Sequence, residues 1–243
     1  NFAKYIILFI YIMEKNQKVL FCHIPKCSGT NVNFQLNQKY KTNYKWYIHR
    51  TLQYEIHNYE DYYKFTVIRD PFEKLISCYF YTRNVIDRLI NSKTLDTYQS
   101  GEWKQISDLY IKYNMTDIYS YLNNFKTMYN NEIIPYLLNL KDVNKNNDMQ
   151  FLYVVGFFPQ YTFCCDDDFN ILVDDVINIK DVDDFLLNKF GIINNTKQNT
   201  HNNSNTDYSQ FLNKQNIIDI QEIYKEDYKY LFNNQFTYQE LKP

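Results

Sequence analysis

Apolar positions along this chain follow two periods. Short runs rich in β-branched and aromatic residues, at 18–24 (KVLFCHI), 46–49 (WYIH), 65–68 (FTVI), 151–155 and 175–179, are separated by stretches in which apolar residues recur every three or four positions. The first kind predicts strands and the second predicts helices. On this reading helices cover 30–40, 52–63, 71–88, 182–190 and 214–232, and Gly191 stands just past the fourth as its C′ residue. From 103 to 140 the spacing of Ile106, Leu109, Tyr110 and Tyr113, then of Ile118, Tyr121, Leu122 and Phe125, is helical, which predicts a helical insertion at about 100–140. The stretch 194–206 is polar and predicts a loop. Strands alternating with helices predict an α/β protein, a three-layer α/β/α sandwich around a largely parallel central sheet. The 243 residues show no compositional boundary, so one domain is expected over 18–235, preceded by an extension at 1–17.

Two strand ends carry the chemistry. After the first strand the chain reads HIPKCSGT, with Pro25, Lys26, Cys27, Ser28, Gly29 and Thr30 leading into a helix. Unpartnered N–H groups at a helix start, at the positive end of its dipole, receive anions, and N–H groups of the preceding turn can add a nest. The order differs from a Walker A loop, whose lysine follows the second glycine; here Lys26 comes first. After the third strand the chain reads IRDPFEKLIS. Asp70 suits an N-cap and Pro71 the first helical position, so Arg69 ends the strand and Ser77 lies two turns into the helix. In open α/β sheets ligands bind beyond the carboxyl ends of the strands, which predicts a phosphate-rich crevice at these two ends.

These segments resemble sulfotransferases that use 3′-phosphoadenosine 5′-phosphosulfate (PAPS), and most of all the carbohydrate branch with the loop His-Ile-Pro-Lys-x-x-Gly-Thr. His23, Ile24, Pro25, Lys26, Gly29 and Thr30 match that loop; Arg69 and Ser77 match the 3′-phosphate motif, an arginine followed eight positions later by a serine. Weaker similarity extends through GFFPQYTF and DDVINIKDVDDFLLNKFGI to IIDIQEIYKEDYKYLF, covering about 18–232. Relatives often carry a glutamate where this chain has Lys180, and the cofactor-covering loop, usually basic, is here mostly Asn, Ser and Thr. The resemblance implies a P-loop-like sulfotransferase fold and transfer of a sulfuryl group from PAPS to a hydroxyl acceptor, a glycan in that branch. It implies Lys26 at the leaving oxygen, the loop Pro25 to Thr30 around the 5′-phosphate, and Arg69 and Ser77 on the 3′-phosphate. No metal is expected, because a sulfuryl group carries less charge than a phosphoryl group. Lys74 and Arg83 read as solvated helix charges, with only Lys74 near enough to assist.

The acceptor hydroxyl needs a base, for which histidine is suited near neutrality. His49, at a strand end in the context HRTLQYEI, is the choice; His23 reads as a packing residue, His57 as exposed and His201 as part of the covering loop. Two other classes remain open, a catalytically silent nucleotide- or glycan-binding module of the same fold and a P-loop phosphotransferase.

Composition narrows the partners. A net charge of −2 gives no general attraction for nucleic acid, and none is expected as a partner. Five cysteines without a Cys-x-x-Cys pair read as reduced thiols. Cys27, beside a lysine at a helix N-terminus, is expected to have a depressed pKa. The apolar run 2–12 is shorter than a bilayer span. Either Met13 is the natural start, giving a cytoplasmic protein, or the run is the tail of a truncated anchor, giving a membrane-attached enzyme of the Golgi lumen; the first is adopted. Sequons at Asn114, Asn194 and Asn202 are no more than a chain this rich in asparagine produces by chance.

Overall fold

A computed structural model describes residues 17–91, 101–141, 154–193 and 208–235. Strands β1 (Val19–His23), β2 (Tyr44–Ile48), β3 (Tyr63–Ile68) and β4 (Asp175–Asn178) form one sheet in the order β2-β1-β3-β4, with every pairing parallel. Every residue of β1 is buried, as expected for the inner strand of a covered parallel sheet. The helices are α1 (Gly29–Tyr40), α2 (Pro71–Asn91), α3 (Glu102–Lys112), α4 (Ile118–Met128), α5 (Ile134–Leu138), α6 (Val182–Phe190), α7 (Lys214–Ile223) and α8 (Lys225–Leu231). The α/β class with a parallel sheet flanked by helices is therefore as the sequence pattern implies.

Both faces of the sheet are covered. On one, the rings of Phe21, Phe65 and Tyr63 stack in a row and meet Phe185 and Phe190 of α6, with Tyr40 of α1 against Phe190. On the other, the Cys22 thiol donates to the Phe163 carbonyl at 3.3 Å, which lays a helical turn, Tyr161–Cys164, against β1. A second aromatic cluster, Tyr79, Tyr110, Tyr121, Phe125 and Tyr224, joins α2 to the insertion helices.

Several boundaries differ from the sequence expectation. The helix expected at 52–63 is two 3-10 turns, Leu52–Tyr54 and Ile56–Tyr59, and β3 begins at Tyr63. The strand expected at 151–155 lies outside the described residues up to 153, and Val155 opens a 3-10 turn, Val155–Phe157, rather than joining the sheet. The final helix breaks at Tyr224 into α7 and α8. Among the described residues the insertion holds α3, α4 and α5, α4 passing through a π turn, Tyr129–Ile133, into α5. Residues 1–16 of the extension and the whole polar loop 194–206, with His201, lie outside the described residues. Among those described, no helix is long and apolar enough to cross a membrane, and no cluster of His, Cys, Asp or Glu is placed to hold a metal ion.

Candidate active site

The chain leaves β1, crosses to β2 on one side, then returns past β1 to form β3 on the other. Strand order thus reverses between β1 and β3, the topological switch point at which open α/β sheets leave a crevice. The register Cys22↔Thr66 and His23↔Ile48 brings the ends of all three strands level. The loop after β1, His49 after β2 and Arg69 after β3 therefore share one end of the sheet.

The first loop is bent tightly. Cys27 N–H donates to the Ile24 carbonyl, and Lys26 and Ser28 both adopt left-handed backbone at φ 66° and 59°. His49 does so as well, at φ 50°. Such conformations cost L-residues energy and persist where surrounding structure over-determines them, often at functional sites. Ser28 is the N-cap of α1 but makes no side-chain cap, so the N–H groups of the first helical turn face outward without a side-chain acceptor. Gly29 is buried because the His23 imidazole lies where a Cβ would stand. Pro25 is buried, Ser28 half-buried and Thr30 exposed.

Lys26 is half-buried with its Nζ 3.7 Å from the centre of the Tyr81 ring on α2. Burial lowers its pKa to about 8, opposed by the nearby Cys78 and assisted by the Arg69 charge. A cation held on an aromatic face, short of solvent and next to another cation, is poised to meet an anion. His23 stacks on Phe21 and Trp46 and sits 4.7 Å from the ring of half-buried His49. Burial first, then His49 and Lys26, hold His23 neutral, well below the ordinary histidine range. His23 is a packing residue, as expected, and His57 is exposed in a 3-10 turn.

At the other strand end, Asp70 caps α2, accepting from Phe72 and Glu73 N–H at 3.0 and 3.2 Å, and Pro71 opens the helix. The Arg69 side chain runs along α2 to Glu73, its Nε 3.5 Å from Oε2, and that buried Nε makes no hydrogen bond. Glu73 also faces Lys180, 3.7 Å from Oε1, so the lysine that stands where relatives often have a glutamate joins an Arg69-Glu73-Lys180 chain of charges. Ser77 is half-buried on the same helix, two turns on. Arg83 is half-buried and pairs with Asp87 on the same helix at 3.8 Å.

Two expectations fail. Cys27 is fully buried, and desolvation pushes its thiol up to about 12 despite Lys74 and Arg69 nearby; helix position and neighbouring cations lower a thiol pKa only where solvent or an anion-accepting pocket supports the thiolate. Lys74 is no solvated charge. It is 1% exposed and donates to the carbonyls of Gly156 and Phe158 at 2.6 and 3.0 Å.

Sequence reasoning gave no role to the group that ties these parts together. Gln160 and Asp227 are completely buried. Asp227 on α8 accepts the backbone N–H of Gln160 and of Tyr161, each at 2.9 Å, and burial lifts its pKa to about 6, these hydrogen bonds and Lys74 resisting. A signal existed: Asp227 falls in the stripe with Ile220, Tyr224, Tyr228 and Leu231, and Lys74 falls beside Leu75 and Cys78, where an inward charge needs a buried partner.

Arg69 and Lys26 are thus two cations beside outward-facing helix N–H groups at one end of the sheet, a donor set that suits oxyanions. No curated protein and no solved structure matches the chain significantly. Residues 10–233, however, match the model of the Sulfotransferase family. That match spans nearly the whole chain, and the protein belongs to the sulfotransferase family.

Proposed function

We propose that this sulfotransferase draws its sulfuryl group from PAPS and delivers it to a hydroxyl of a carbohydrate. The observation that carries this reading is the switch point itself: the Lys26 loop and Arg69 flank the gap between β1 and β3, where strand order reverses. The Arg69 Nε, ion-paired with Glu73 at 3.5 Å but without a hydrogen bond, supports a phosphate there, since a buried guanidinium N–H that donates no hydrogen bond carries a desolvation cost that an oxyanion removes.

PAPS supplies an activated sulfuryl group on a phosphate leaving group. The N–H groups of Ser28, Gly29 and Thr30 hold the 5′-phosphate, with Pro25 and Cys27 shaping the turn. Lys26 leaves the Tyr81 face to set its ammonium on the oxygen that takes up charge as the sulfur-oxygen bond breaks, a donor in place before the charge develops. Arg69 and Ser77 hold the 3′-phosphate. His49 takes the proton of the acceptor hydroxyl as its oxygen bonds to sulfur, and His23, neutral and packed on it, keeps its ring in place. Trp103 meets Tyr81 edge to face at 5.9 Å, an aromatic wall beside Lys26 that suits the apolar face of a sugar. Five unpaired, buried cysteines fit a reducing compartment such as the cytoplasm.

Calorimetry with 3′-phosphoadenosine 5′-phosphate, adenosine 5′-phosphate and magnesium ATP tests the donor, and labelled PAPS with a panel of glycans, phenols and tyrosine peptides tests the acceptor. Strong preference for the doubly phosphorylated nucleotide and label on a glycan are expected. Tighter binding of magnesium ATP would point to a phosphotransferase, and donor binding without transfer to any acceptor to a silent binding module.

A further inference from the structure

Gln160 occupies the seam between the two strand ends. Its side-chain Oε1 accepts the Arg69 N–H at 2.9 Å and the Cys27 thiol at 3.4 Å, and its Nε2 donates to the Arg69 carbonyl at 2.7 Å. Both backbone polar groups of Arg69 thus close on one amide, in the manner of a strand partner. Among the described residues no strand pairs with Arg69, because the register with β4 ends at Ile68↔Asn178. Gln160 is itself fixed from behind by Asp227, which takes its backbone N–H at 2.9 Å and lies 3.5 Å from Nε2. Asp227 belongs to α8, 67 residues further along the chain, so the position of Arg69 is set by the C-terminal helix.

We infer that Gln160 is the positioning residue of this site: it fixes the backbone of Arg69 relative to the Lys26 loop and so sets the distance at which the two phosphate-binding ends accept one nucleotide. The inference rests on the assignment of Arg69 to the 3′-phosphate. A side chain that served only to fill the core could be apolar; one that spans the N–H and C=O of a binding residue, and touches the other loop through Cys27, fixes geometry. A glutamine is required because one position must accept and the other donate. A carboxylate accepts only, and would also stand against Asp227; a protonated carboxyl can again do both.

Gln160→Met removes both hydrogen bonds to Arg69, with those to Cys27 and Asp227, at similar length and without adding charge. Its affinity for 3′-phosphoadenosine 5′-phosphate should fall at least tenfold, while that for adenosine 5′-phosphate changes less than twofold, as read by calorimetry on the full chain. Gln160→Glu should show the same selective loss at pH 8 and recover most of it, relative to the wild type at the same pH, near pH 5.5. The groups that share this environment are Asp227 and Tyr161 from the C-terminal side, Lys74 and Arg69 from α2 and the end of β3, and Cys27 and Cys164; comparison with wild type at each pH removes their own titration. Equal loss for both nucleotides in Gln160→Met, or no pH-dependent recovery in Gln160→Glu, overturns the inference. Where Gln160→Met does not fold, the Gln160→Glu comparison decides alone. Arg69→Ala separates the two levels: if it leaves discrimination between the nucleotides intact, the 3′-phosphate assignment has failed; if it abolishes discrimination while the Gln160 variants keep it, only the positioning role has failed.

Discussion

The two strand ends that form the crevice are built in opposite ways. The end of β3 is held by directional bonds: Asp70 caps α2, Gln160 brackets Arg69, and Lys74 and Asp227 are buried with their hydrogen bonds made. The end of β1 is held by shape: Gly29 against the His23 ring, a left-handed turn at Lys26 and Ser28, and an ammonium resting on Tyr81. The first arrangement resists displacement, because Asp70, Lys74, Gln160 and Asp227 would each lose buried hydrogen bonds. The second can adjust, because a cation on an aromatic face exchanges that contact for an anion at little cost. Under the proposed function a transferase profits from this division: the end assigned to the 3′-phosphate stays fixed, and the end assigned to the leaving oxygen keeps a movable cation.

The largest effect that would separate the two ends is on turnover. Lys26→Ala should lower it about a hundredfold or more, the scale on which removing one preorganised donor acts. Its stability should not fall. With a pKa near 8, below the ordinary lysine value, the charged form is disfavoured in the folded state; that penalty is fully present below pH 8 and fades as pH rises from about 8 towards 10.5. At pH 7 thermal unfolding of Lys26→Ala should therefore occur at or above the wild-type temperature, and a clear drop would mean that the loop, too, is held by its polar contacts.

Lys74→Met should do the reverse. It removes the ammonium donor from the Gly156 and Phe158 carbonyls, leaving Gly156 the weaker Cys78 thiol at 3.2 Å, and takes from Asp227 its nearby cation, which should cost about 3 kcal/mol of stability in denaturant titration. If stability is unchanged, the β3 end is not the rigid one.

His49→Ala sharpens the contrast on the side of β2. Turnover should drop with little change in donor affinity, and the acidic limb of the pH-rate profile should vanish; retention of both rate and limb would move the base elsewhere.

A smaller signal is proton uptake. Free Lys26 is about half protonated at pH 8, and a bound 5′-phosphate raises its pKa, so titration with 3′-phosphoadenosine 5′-phosphate in buffers of different ionisation enthalpy should show uptake of about half a proton at pH 8, fading by pH 6.5 and absent in Lys26→Met. Smaller still is the pH dependence of stability from Asp227. Its folded pKa of about 6 lies above the unfolded value, so this group's destabilising charge is present above pH 6 and disappears as pH falls towards 4. Asp227→Asn should flatten that part of the stability profile.

How much of this was legible in the sequence differs along the same line. The β1 loop and the Asp70-Pro71 helix start could be read because they are local: a proline, a lysine and a glycine within six residues, or a cap followed by a first-turn proline, state their geometry in place. The sheet class followed from the alternation of periods. What escaped was non-local. No window around Lys74 announces that Gly156 and Phe158 will turn their carbonyls towards it, and Cys27 was misread because its burial depends on residues 133 positions away, at Gln160. The helix expected at 52–63 failed for a related reason: two aromatic contacts, Tyr47 with Tyr59 and Tyr59 with Tyr62, fold the segment back on β2 in short turns.

All five thiols of the chain are buried. One of them, Cys27, lies in the Lys26 turn, while Cys22 belongs to β1 itself, inside the sheet. The protein therefore carries its own opening clock: alkylating reagents in solution can reach these sulfurs only when the structure above them parts, so the rate at which each is capped measures how often that layer opens. Cys27 would count excursions of the crevice, which a bound nucleotide should suppress, and Cys22 would count the rarer events in which the sheet itself comes apart.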